Sequence, residues 1–108
     1  MDIFDIYITY VSWESGGKMR PVLVLEQNET IVNVFNITSQ YNNKTSAIRR
    51  NYFKINEWQQ AGLDKQSYID TNMIRDIPVA ALSGKPKIGR LSMRDIQAFI
   101  DFLNKMRD

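Results

Sequence analysis

The stretch Glu14-Ser-Gly-Gly-Lys-Met-Arg-Pro-Val-Leu-Val-Leu-Glu26 decides how the rest of the chain is read. It opens polar and glycine-rich, then passes at Arg20-Pro21 into a run of strand formers. The Cδ of Pro21 clashes with a helical conformation of the preceding residue, so Arg20 is expected to be extended, at the start of a strand. Proline fits the first strand position, where no ladder donor is needed. Pro21 to Leu25 is apolar on both faces, which predicts a central strand. Arg20 would then be a cation held at the root of a mobile loop, losing little entropy when it engages a ligand. An ordinary loop-to-strand junction with a solvated arginine fits the same local pattern.

Working outward, Ile6 to Trp13 is rich in Ile, Tyr, Thr, Val and Trp and reads as the first strand. Gln27-Asn28-Glu29 is turn material, and Thr30 to Thr38 completes a hairpin with the Pro21 strand. Ser39 to Ala47 is polar and predicts a surface loop. Ile48 to Ile55 reads as a further strand. Asn56 is placed to cap a short helix from Glu57 to Ala61, stopped by Gly62. Ser67 to Ile74 and Ile77 to Leu82 read as two short strands parted near Arg75-Asp76. Ser83-Gly84-Lys85-Pro86 is a turn, and Lys87 to Leu91 a last short strand. Ser92-Met-Arg-Asp95 resembles a capping box that opens the one long helix, Met93 to about Lys105. Its apolar positions Ile96, Phe99, Ile100 and Leu103 recur at helical spacing and predict a face packed on the sheet or a partner. Many short strands and one terminal helix predict a mainly β fold with α, a small barrel-like domain partly covered by that helix.

Length and composition narrow the chemistry. At 108 residues the chain is expected to form a single domain, residues 1–108, large enough to bury roughly 65% of its unfolded surface. Cysteine is absent, so disulfide and thiolate chemistry are excluded. Histidine is absent too, which removes the usual acid/base residue near neutral pH and the imidazole ligands of transition metals. No bound metal and no cofactor are expected. Nothing resembles a signal peptide or a membrane span, which predicts a cytoplasmic protein with no membrane partner. Net charge is only +2, but acids are missing from Thr30 to Asn56 and from Ile77 to Arg94, where basic residues gather. Such segregation makes a face for a polyanion, or a set of solvated surface charges.

Three constellations could carry function. In Trp13 to Lys18, Gly16 and Gly17 allow close backbone approach, Lys18 and the following Arg20 can contact phosphate, and Trp13 can stack on a base. Ile37-Thr38-Ser39-Gln40 places two hydroxyls and an amide at a strand end, where they bind phosphate oxygens or base edges, or satisfy a turn. Tyr41, Lys44, Arg49, Arg50, Tyr52 and Phe53 interleave basic and aromatic groups, a pattern that tracks a nucleic-acid strand or divides into core aromatics and solvated charges.

Gly17-Lys-Met-Arg20-Pro-Val-Leu-Val-Leu25 resembles the signature of the MazF/PemK toxin endoribonucleases of bacterial toxin–antitoxin pairs. Ile37-Thr38-Ser39-Gln40 is similar to the family's second motif, and Ser67-Tyr-Ile-Asp70 and Ile88-Gly-Arg-Leu-Ser92 to its later strand and helix entry. The resemblance spans most of the chain in the same order. It implies an SH3-like barrel with a C-terminal helix, working as a homodimer in a bacterial cytoplasm. It also implies sequence-selective, metal-independent cleavage of single-stranded RNA, neutralised by a cognate antitoxin protein. The family's catalytic arginine falls on Arg20 and its catalytic threonine on Thr38. Some members use a histidine or an acidic residue in the site; histidine is not available here.

The residue types suit that reaction. The RNA 2′-hydroxyl attacks its own phosphate, so the enzyme must align the attack, move protons and stabilise charge on the phosphoryl oxygens. Arg20 supplies electrostatics, since its very high pKa makes it a poor proton donor. Glu14 is the nearest loop carboxylate and the candidate base. Trp13, Ser15, Gly16, Gly17, Lys18, Ser39, Gln40, Arg49 and Arg50 are the candidate RNA contacts. The rival readings are a non-catalytic barrel of the same shape that binds nucleic acid or a protein such as DNA gyrase, and an interaction domain that uses the Ile96/Phe99/Ile100/Leu103 face.

Overall fold

The computed structural model describes residues 1–107, apart from the Trp13 side chain. The strands are β1 (Asp5–Trp13), β2 (Gly16–Gln27), β3 (Ile31–Thr38), β4 (Tyr52–Lys54), β5 (Tyr68–Pro78) and β6 (Lys87–Arg90). The helices are α1 (Ser46–Arg49), α2 (Val79–Leu82) and α3 (Met93–Met106). All strands pair antiparallel in one sheet of order β4-β5-β3-β2-β1-β6. The expected mainly β architecture with a C-terminal helix is what forms, and β2 and β3 are central as their apolar runs require. The sheet is open, with β4 and β6 at its edges. A turn across residues 56–63 spans the gap between them. Its Ala61-Gly62 backbone lies so close to Ile88-Gly89 that a Cβ on Gly89 would sit 1.9 Å from the Ala61 carbonyl oxygen.

Alternation divides the strands between two faces. Ile6, Leu23, Phe35, Ile37, Phe53 and Ile69 point toward α3 and pack with Ile96 and Phe99. Phe99 is fully buried at the centre, with edge-on ring contacts to Phe4 and Phe35 and a tilted one to Phe53. On the opposite face Tyr7, Val11, Val22, Val24, Val32 and Val34 close under Leu82 of α2 in a second, smaller core. Ile96 and Phe99 of the helix are buried as expected, whereas Ile100 is 38% exposed and Leu103 only partly buried.

Five local readings are corrected. The glycine-rich loop is a tight hairpin: Gly16 pairs with Trp13 and Gly17 with Ser12, leaving only Glu14-Ser15 at the tip. Gly16 has φ of +155°, a conformation that residues with a Cβ resist. Arg20 therefore lies inside β2, opposite Thr9, not at its first residue. Pro21 is tolerated just outside the β2–β3 ladder, which begins at Val22↔Asn36. The Ile48 to Ile55 strand is instead α1, capped by Thr45 Oγ1 accepting the Ile48 N–H, followed by the short β4. The Glu57 to Ala61 helix is a set of turns. Asn56 does not cap it; its N–H and side-chain amide, with the Glu57 N–H (2.7 Å), donate to the buried carboxylate of Asp95. Ser92 does cap α3 as expected, accepting the Asp95 N–H at 3.1 Å. Finally, Ser67 to Ile74 and Ile77 to Leu82 are not two strands: β5 runs through Arg75-Asp76 to Pro78, and α2 follows.

The second acid-free stretch is structural in part. Lys87 Nζ and Arg90 Nη1 lie 3.6 and 3.4 Å from Oδ1 of buried Asp5. No helix among the described residues is long and apolar enough to cross a membrane.

Candidate active site

The second face of the sheet is apolar at one end and polar at the other. Val24 and Val22 of β2 enter the small core, and Arg20, two residues earlier on the same face, passes beyond it. On β3, Val34 enters that core while Asn36 and Thr38 pass beyond it. Val22 pairs with Asn36, and Arg20 and Thr38, each two residues beyond that pair on its own strand, line the same clefts. Asn36 in turn pairs with Asp70, and Asp70 with Tyr52. Arginine, threonine, carboxylate and phenol are thus neighbours because one alternating pattern runs across four strands.

Arg20 and Thr38 both line two adjoining clefts. The first, about 150 Å³, adds Lys18, Ser39, Gln40, Asp64 and Lys65. The second, about 210 Å³, adds Asn36, Lys44, Tyr52, Asp70 and Arg75. Each cleft holds three cations and one carboxylate, a balance that suits a polyanion. Thr38 is buried, and its Oγ1 accepts the Gln40 N–H at 3.0 Å. The hydroxyl hydrogen remains available to donate to a phosphoryl oxygen. Burial raises the Tyr52 phenol above its ordinary value of 10.0; the Asp70 carboxylate pushes it further up and the Arg20 guanidinium opposes the rise. The phenol therefore stays protonated well past neutral pH.

The candidate residues divide sharply by place. Lys18, Ser39 and Gln40 share the first cleft with Arg20 and Thr38. Glu14 and Ser15 form the hairpin tip, with Gly16 and Gly17 beside it, and none of them lines either cleft. Gly16 alone is about 13 Å from Arg20 along a strand that rises ~3.3 Å per residue. The carboxylates that line the clefts with Arg20 are Asp64 and Asp70, whereas Glu14, the candidate base, lines neither. Trp13 was a candidate for base stacking; its side chain lies outside the described residues. Arg49 sits over the Tyr41 ring, 5.3 Å from its centroid, and Tyr41 stacks on Tyr68 at 4.5 Å. Arg50 faces a different hollow, with Phe102 and Lys105 at the end of α3. Both arginines thus stand apart from the two clefts. Sequence reasoning did not single out Asn36, Asp64, Lys65, Asp70 and Arg75, which line the same clefts. Alternation from Thr38 back to Asn36 could have found the first; Asp70 and Arg75 depend on pairings between distant segments, and Asp64 and Lys65 on the path of the connection between β4 and β5.

A family model described as the PemK-like, MazF-like toxin of type II toxin–antitoxin systems matches residues 2–106. Among solved structures, the Mycobacterium tuberculosis toxin MazF-mt6 is similar, with a TM-score of 0.68 and 23% identity over 94% of this chain and 93% of that one. No curated protein matches the chain in sequence. At that identity the structural likeness speaks for the fold, while the family model spans nearly the full length. The chain belongs to the PemK-like, MazF-like family of type II toxins.

Proposed function

We propose that the chain is a metal-independent, sequence-selective endoribonuclease toxin that cleaves single-stranded RNA through its own 2′-hydroxyl. The observation that carries this reading is the placement of Arg20 and Thr38 on adjacent strands, on one face, lining two cation-rich clefts. The 2′-oxygen attacks phosphorus, the bond to the 5′-oxygen breaks, and the products are a 2′,3′-cyclic phosphate and a 5′-hydroxyl. Arg20 holds the non-bridging oxygens through its forked donors and Thr38 adds a neutral donor. Asp64, which lines the first cleft with Arg20 and Thr38, accepts the 2′-proton, and the protonated Tyr52 phenol supplies one to the leaving oxygen.

The toxin works as a homodimer and is neutralised by an antitoxin that covers the RNA clefts. Support for a protein-binding surface comes from an apolar groove between α3 and β5, where Leu25, Ile74, Ile100, Leu103 and Met106 are partly exposed. Light scattering across a concentration series checks the dimer.

Incubating purified protein with a long RNA in EDTA tests the activity. Discrete fragments ending in cyclic phosphate are expected, together with resistance of an RNA carrying deoxyribose at the scissile position. A gel shift without cleavage, or efficient cutting at the deoxyribose, overturns the nuclease reading.

A further inference from the structure

In a regular strand Asp70 and Arg75, five residues apart, would face opposite sides of the sheet. In β5 they do not. Asn36 pairs with Asp70 but Val34 pairs with Arg75, so two residues of β3 span five of β5. The surplus is a bulge at Thr71 to Met73, anchored by the Thr71 N–H and hydroxyl donating to the Asn51 carbonyl at 2.9 and 2.6 Å. The Asn72 backbone and side-chain N–H groups also bind Asp70 Oδ1, at 2.9 and 2.8 Å. The bulge brings Asp70 and Arg75 onto the same face as Asn36, in the second cleft beside Arg20 and Thr38. Bulges recur next to active sites because they re-aim side chains in this way.

Two polar atoms there are buried without a hydrogen-bond partner: Oδ1 of Asn36 and Nε of Arg75. Leaving a buried polar atom unpaired is costly, and a protein gains from doing so where a ligand completes the bond. Oδ1 accepts and Nε–H donates, while the Asp70 carboxylate adds acceptors. A phosphate offers only acceptors and would meet Asp70 repulsively. Asn36, Asp70 and Arg75 thus differ in chemistry from Arg20 and Thr38, which line the same cleft.

We infer that the cleft built by Asn36, Asp70 and Arg75 is a nucleobase subsite beside the scissile phosphate, selecting a base with an exocyclic amino group and rejecting uracil. This inference rests on the RNA-cleaving reading and names the element that gives it sequence selectivity. The amino group of adenine, cytosine or guanine donates to Asn36 Oδ1 and Asp70, while a ring nitrogen or carbonyl of the same base accepts from Arg75 Nε. Uracil turns carbonyl oxygens toward those acceptors and offers only its ring N–H between them. Lys44, which also lines the cleft, suits a flanking phosphate, which fixes position without reading sequence.

The test is binding and cleavage of a randomised single-stranded RNA pool by wild type, Asn36→Leu and Arg75→Met, each verified as folded by thermal melting. Binding is measured separately on a pool made uncleavable by deoxyribose. Wild type is expected to exclude uracil at one position next to the cut. Each variant should lose roughly 5- to 150-fold of that discrimination, equivalent to 1–3 kcal/mol, with preferences elsewhere in the site unchanged. Either variant suffices if the other fails to fold. Variants that keep the wild-type preference overturn the inference while leaving the nuclease intact, as does a wild type without preference at any position. Selective binding that the variants relax, without any cleavage, supports the subsite and overturns the nuclease reading alone.

Discussion

The two faces of the sheet are made by alternate residues of the same strands, yet they are put to different uses. Toward α3, Ile6, Leu23, Phe35, Ile37 and Ile69 meet Phe99 in a continuous apolar layer. Away from α3, apolar packing under Leu82 stops at Val22 and Val34, and Asn36, Thr38, Arg20 and Asp70 take the remaining area. The first face obtains its stability mainly from apolar burial. The second uses its small core to fix the strands from which the polar groups project, so their positions are set by backbone pairing more than by the groups' own contacts. A site on strands holds geometry better than a site on loops.

This division is open to challenge. Phe99→Ala should cost about 3–5 kcal/mol, read from denaturant or thermal melts, because it empties the centre of the α3 layer. A loss below about 1 kcal/mol would mean that this face is not the principal core. Arg20→Ala should show the reverse pattern, with RNA cleavage slowed about 10²–10³-fold and the melting transition almost unmoved. An active variant, or one that unfolds, erases the distinction between the faces. Asp95→Ala should cost about 1–3 kcal/mol without altering the site directly, since the N–H groups of Asn56 and Glu57 lose their buried acceptor. Hydrogen exchange localised to residues 56–63 would identify that cause.

The smallest effect is the pH dependence of Tyr52. Its phenol holds its proton more tightly in the folded chain than in the unfolded one. The unfolded chain therefore ionises first as pH rises through 10, and stability present below that range is lost above it. Tyr52→Phe should flatten this alkaline decline, and the absorbance of tyrosinate should show one fewer late-titrating group. A phenol that titrates at its ordinary value would show that burial and the Asp70 carboxylate do not act on Tyr52.

The α3 face was the more legible of the two. Periodicity exposes Ile96 and Phe99, and the alternation of Phe35 and Ile37 places them on one side of β3. The site was only half legible. Arg20 and Thr38 carry local motifs, but Asp70 and Arg75 acquire their meaning from a bulge whose extra residues have no strong local signal. Local reasoning also failed where tertiary contacts replaced local ones. Asn56 looked like a cap, yet it donates to a carboxylate supplied from α3, 39 residues away. Gly16 and Gly17 suggested a loose loop, yet cross-strand pairing carries β2 through both of them and leaves a tip of two residues.

By itself the sequence determined the composition of the chemistry, the β2–β3 hairpin and the C-terminal helix. Without histidine or cysteine, only arginine, lysine, carboxylate, phenol and hydroxyl groups could act, and apolar runs at periods of two and 3.6 marked the central strands and the helix. Tertiary structure decided which of those groups meet. Register across β2, β3, β5 and β4 set Arg20, Thr38, Asp70 and Tyr52 side by side, and the bulge added Arg75. The reason is physical: periodicity fixes the face a side chain occupies, but its neighbours depend on hydrogen-bond register between segments distant in the chain, where one shifted residue reverses the outcome.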